Sequence, residues 1–137
     1  MLANPTATPT ESILVIDDNA DMLELQRLVL EDAGFAVITA QSGEEALNVL
    51  TSSPPPEPSL ILLDMRMGKM SGQDFLLRLE ERRPQIVDEV PVVFLTGQDV
   101  VPASRASGFI RKGRGMSEFL QDVRRYIDMG HQARLVH

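Results

Sequence analysis

Five short apolar runs limit what this chain can fold into. They are Ile13–Ile16, Phe35–Ala40, Leu60–Leu63, Val90–Leu95 and Gly108–Ile110, all short and rich in Val, Ile and Leu. Runs of this kind suit strands buried on both faces of a parallel sheet. Amphipathic stretches lie between them. Met22, Leu25, Leu28 and Val29 keep helical spacing up to Asp32–Ala33, and Gly34 supplies a stop. Ser42 with Glu45 three residues on predicts a capping box ahead of Ala46, Leu47 and Leu50. Ser71 with Asp74 opens a third helix carrying Phe75, Leu76 and Leu79, and Ser117 opens a last one carrying Leu120, Val123 and Ile127. Strand–helix alternation predicts an α/β sheet with right-handed crossovers.

The chain has 137 residues, enough for one domain. The polar, Pro-containing residues 1–11 read as a mobile tail, residues 12–129 as the folded domain and residues 130–137 as a C-terminal tail. Pro54-Pro55-Pro56-Glu57-Pro58 reads as a stiff surface connection. No run approaches the roughly 18 apolar residues of a membrane span. The start lacks the basic and apolar regions of an export signal, so a cytoplasmic setting is expected.

Composition removes several chemistries. There is no Cys, and the two histidines are His131 and His137. Thiolate metal sites and disulfides are excluded, and a His base inside the fold is not expected. Net charge is −7. An acidic body argues against direct nucleic-acid binding, which rests on neutralising phosphates. The basic residues gathered after residue 104 read as a solvated helix face.

In an open α/β sheet, ligands bind beyond the carboxyl ends of the strands. Asp17 and Asp18 follow the first run, Asp64 the third, Thr96 the fourth and Lys112 the fifth. Lys112 is one of only two lysines, with Lys69. Three carboxylates, a hydroxyl and an ammonium are thus expected at one rim. Crowded carboxylates take up protons unless a cation neutralises them. An all-oxygen ligand set suits a hard cation such as Mg²⁺. A metal-bound carboxylate beside a hydroxyl and an ammonium fits phosphoryl transfer, with an aspartyl phosphate as the product.

The stretches ILVIDDNADM, LILLDMRMGKMSG, VVFLTG and FIRKG, with Asp64 followed by Met67, Met70 and Gly72, resemble the receiver domain of two-component response regulators. The resemblance spans roughly residues 12–128. It implies a doubly wound five-stranded parallel sheet of flavodoxin-like order 2-1-3-4-5. It implies that Asp64 is the phosphoacceptor, supplied by a histidine kinase or histidine phosphotransfer protein. Asp18, Asp64 and the backbone carbonyl of Arg66 would bind Mg²⁺ directly, and Asp17 through water. Thr96 would hydrogen-bond the phosphoryl group, Lys112 would pair with it, and Thr96 with Phe109 would form the switch. The output would be an unknown downstream protein, with neither nucleic acid nor membrane bound directly.

Departures from the family pattern carry expectations of their own. Gly68 and Gly113 stand where the family has Pro. A cis Lys112–Gly113 bond would cost roughly 3 kcal/mol, so the lysine needs another means of aim. Thr96 and Lys112 are 16 residues apart, short by nearly two helical turns. The helix between the fourth and fifth strands is therefore expected to be reduced or missing. Phe109 has no hydroxyl to hold and is expected to seek a dry position. Two alternatives are a pseudo-receiver that binds partners without phosphorylation and an aspartate-nucleophile phosphatase of the haloacid dehalogenase kind. The phosphatase needs Asp-x-Asp, and Asp64-Met65-Arg66 lacks the second carboxylate.

Overall fold

The computed structural model describes residues 11–65, 67–97 and 106–136, with side chains up to residue 132. Five strands form one parallel sheet: β1 (Ser12–Ile16), β2 (Ala36–Ala40), β3 (Leu60–Asp64), β4 (Val92–Thr96) and β5 (Gly108–Arg111). Their order is β2-β1-β3-β4-β5, as the resemblance implies. The helices are α1 (Ala20–Asp32), α2 (Gly43–Leu50), α3 (Gly72–Arg82), α4 (Pro84–Glu89) and α5 (Met116–Val136).

Strand periodicity sends alternate residues to opposite faces. Ile13 and Val15 pack with α1 and α5, whereas Leu14 and Ile16 pack with α2, α3 and α4. Residues of β1, β3 and β4 are buried almost throughout. The edge strand β2 is only half-buried.

Local chemistry sets the element ends. Asn19 caps α1, accepting from the Met22 N–H at 3.0 Å, and Gly34 turns the chain out at φ +100°. Ser71 and Asp74 form the reciprocal capping box at α3. At α2 the expected box is altered. Ser42 accepts from the Glu45 N–H, but the Glu45 carboxylate reaches the Gln41 N–H at 2.9 Å.

Helix α4 is absent from the sequence reading. It has six residues and two buried apolar side chains, Ile86 and Val87, too few to display a helical period. Pro84 in its first turn is the local signal. Residues 130–136, expected to be a tail, continue α5. Gly130 makes this possible, because a Cβ there would lie 2.8 Å from the Pro91 ring. His131 Nε2 then lies 2.8 Å from Glu11 Oε1. Residues 1–10, and the shortened segment expected between β4 and β5 at 98–105, lie outside the described residues.

Candidate functional site

The chain leaves β1 for β2 on one side and later returns to place β3 on the other. That reversal opens a crevice at the carboxyl ends of β1 and β3. Ile16 lies opposite Leu63, so Asp17 and Asp64, each one residue further, are neighbours there. Asp64 lies opposite Leu95, next to Thr96, and Thr96 lies opposite Arg111, next to Lys112. Parallel register alone therefore gathers residues 17, 64, 96 and 112. They line a cleft of about 520 Å³ together with Asp18, Asn19, Met22, Met65 and Gly97.

Asp17, Asp18 and Asp64 can each offer an oxygen such that all three lie within 4.8 Å of one another. Asp17 is fully buried, Asp64 and Thr96 nearly so, and Asp18 is exposed. Lys112 Nζ lies 3.2 Å from Asp64 Oδ1. One oxygen of Asp17 accepts the Asn19 N–H at 2.9 Å, while the other, Oδ2, is buried with no hydrogen-bond partner among the described residues. Burial, above all, pushes the Asp17 carboxyl above its usual range. The Asp64 charge adds to the rise, and the Asn19 N–H and the Lys112 ammonium oppose it. A buried, orphaned carboxylate oxygen amid two further carboxylates fits a hard divalent cation.

Lys112 reaches Asp64 without a cis bond. The Lys112–Gly113 peptide is trans, and the Lys112 N–H donates to the Thr96 carbonyl at 2.8 Å. Gly113 then takes φ +85°, a conformation costly for any residue with a Cβ.

Phe109 differs from the expectation of dryness: it is 38% exposed. Strand alternation turns Ile110 into the α1–α5 core, so Phe109 faces the opposite side at the open edge of the sheet. Its carbonyl accepts from the Tyr126 hydroxyl at 3.2 Å. Arg66, whose carbonyl was named as a metal ligand, lies outside the described residues.

Sequence reasoning passed over Asn19 and met Gly68 only as a departure from the family pattern. Asn19 carries a usable signal, a preferred N-cap residue directly after an acidic pair. The Gly68 N–H donates to Asp18 Oδ2 at 2.9 Å across 50 residues of chain, and nothing local announces that.

A family model for the response regulator receiver domain matches residues 13–124, and the chain belongs to that family. Such domains are signalling modules of two-component systems rather than classical enzymes. The chain is 35% identical over 101 residues to the alkaline phosphatase synthesis transcriptional regulatory protein SphR of Synechococcus elongatus. That match covers 69% of this chain and 38% of the relative. It is 34% identical over 89 residues to the corresponding protein PhoP of Bacillus subtilis, covering 65% and 34%. The chain thus spans little more than a third of either relative. Among solved structures, the receiver domain protein of Clostridium thermocellum superposes with TM-score 0.75 at 26% identity, over 93% of this chain and 99% of that one. Vibrio cholerae chemotaxis protein CheY4 gives 0.76 at 24% identity, over 86% and 99%, a likeness of fold. Among the described residues no helix is long and apolar enough to cross a membrane.

Proposed function

We propose that this receiver domain accepts a phosphoryl group on Asp64 from a histidine kinase or histidine phosphotransfer protein and thereby switches the binding of a downstream protein. The observation that carries the reading is Lys112 Nζ, 3.2 Å from Asp64 within the three-carboxylate cluster. An Asp64 oxygen forms the new P–O bond as the bond from phosphorus to the donor nitrogen breaks, and the donor imidazole keeps that electron pair. Lys112 pairs with a phosphoryl oxygen and Thr96 offers its hydroxyl to another. Asp18 and Asp64, with the Arg66 carbonyl, would hold Mg²⁺, and Asp17 would do so through water. When bound, the cation neutralises charge on the transferring group. Thr96 and Phe109 are the pair through which the phosphorylated state would reach the surface. Met22, Leu25 and Met116, exposed around an apolar hollow beside Lys112, offer contact area to the donor protein.

Acetyl phosphate and Mg²⁺, followed by intact mass, test this reading. An adduct that lasts for minutes supports it. No adduct leaves the phosphorylation-independent module, and rapid turnover would indicate a phosphatase.

The raised Asp17 carboxyl gives a pH expectation. Its folded value lies above the unfolded one near 3.8, so the stability it contributes is fully present below 3.8. That contribution is lost as pH rises through the raised value, where a buried site must hold the charge. Mg²⁺ competes with the proton for the cluster, so its stabilisation should grow with pH. At ten times its dissociation constant it adds about 1.4 kcal/mol. Thermal midpoints with and without Mg²⁺ at about pH 5 and about pH 7.5 check this. An equal gain at both would contradict it.

A further inference from the structure

We propose that the apolar hollow between α1 and the loop leading into α5 binds a small aromatic molecule bearing an N–H or O–H donor, and that Gln26 is the group that selects the donor. The proposal stands whether or not Asp64 takes a phosphoryl group.

A polar side chain on an apolar stripe is the starting point. The buried residues of α1 are Leu23, Gln26 and Leu30, at helical spacing, so Gln26 holds a core-facing position that an apolar side chain would ordinarily fill. Gln26 is 8% exposed, and its Oε1 is buried with no hydrogen-bond partner among the described residues. A buried acceptor without a donor is uncommon, because it has given up water and gained nothing in exchange. Gln26 also lines the hollow, together with the loop from Arg111 to Met116. The terminal amide torsion of glutamine is soft, so Oε1 can turn to a donor entering there while the backbone stays in place.

Size and lining define the occupant. The hollow holds about 190 Å³. A cavity of roughly 150 Å³ accepts benzene, so there is room for one ring or a compact fused pair and too little for a partner's helix. Leu25, Val29, Leu95 and Phe119 make the walls apolar. A water molecule wants roughly two to four polar partners, which such walls serve poorly. Three features favour an aromatic body over an aliphatic one. The exposed Arg111 and Arg114 line the hollow, and guanidinium groups are drawn to a π face. The thioethers of Met22 and Met116 suit a ring edge, and Phe119 offers a ring to pack against. The donor has a single side-chain oxygen to meet. No carboxylate or hydroxyl is among the described residues lining the hollow, which leaves Gln26 Oε1.

Indole and benzofuran are suitable probes, since they share nearly one shape and differ in a ring N–H against a ring oxygen. In NMR titrations of the full chain, indole should give saturable shifts at Met22, Met116 and Phe119. Benzofuran should bind at the same place about fivefold more weakly, the worth of one net hydrogen bond. Gln26→Met keeps the length of the side chain and removes the acceptor, so that variant should bind the two probes within about twofold of each other. Three results would overturn the proposal: no saturable shifts around the hollow, equal affinities in the wild type, or a preference for indole that survives Gln26→Met. The wild-type comparison decides it even where Gln26→Met does not fold.

Discussion

Asp64→Asn is expected to take up no phosphoryl group under conditions where the wild type forms an adduct, a complete loss rather than a slowing. The amide cannot supply the carboxylate nucleophile that an aspartyl phosphate requires. Asp17 is too buried to replace it, and Asp18 is turned to Gly68. The fold should persist, because the isosteric amide leaves the end of β3 unchanged. Metal-free stability should even rise, by up to about 1 kcal/mol, as one of three crowded charges goes. The lost pairing with Lys112 offsets only part of this, because that side chain is about a third exposed. Intact mass after acetyl phosphate, with thermal denaturation in parallel, checks both halves. Peptide mapping that found the wild-type phosphoryl group on Asp17 or Asp18 would defeat the assignment.

Phe94→Ala is expected to cost about 3–5 kcal/mol of stability, since it removes a fully buried ring and leaves a cavity. Against the 5–15 kcal/mol typical of a whole domain, that is enough to leave the variant marginal. The effect should also reach the site. The ring lies against the start of α3, where a Cβ on Gly72 would meet it at 2.8 Å. The Gly72 N–H in turn donates to the carbonyl of Met65, the residue after Asp64. Urea denaturation gives the stability loss, and one below about 1.5 kcal/mol would show that the surroundings collapse into the space.

Much of this arrangement was legible in the chain. The apolar runs located all five strands to within a residue or two, and β1, β3 and β4 are apolar at consecutive positions because both of their faces are buried. Helix starts at Ser42 and Ser71 were legible because capping is chemistry between residues three apart. Asp17, Asp64, Thr96 and Lys112 were legible as a group for a different reason. Asp17, Asp64 and Thr96 directly follow an apolar run and Lys112 comes one residue later, and parallel register brings such positions together without further information. Helix α4 was not, since two buried side chains make no period. The last turns of α5 were not either, because they depend on Gly130 meeting Pro91, which no local pattern encodes.

The sequence by itself determined the elements and the residue types at the rim, because burial and capping act over a few neighbouring positions. Only the tertiary structure decided how those side chains are aimed. Lys112 gains its direction from a bond to the Thr96 carbonyl and a left-handed Gly113. Phe109 faces outward because β5 is an edge strand and Ile110 takes the core side. Asp18 is held by an amide 50 residues away. These are contacts between segments distant in sequence, whose geometry exists only once the sheet has assembled.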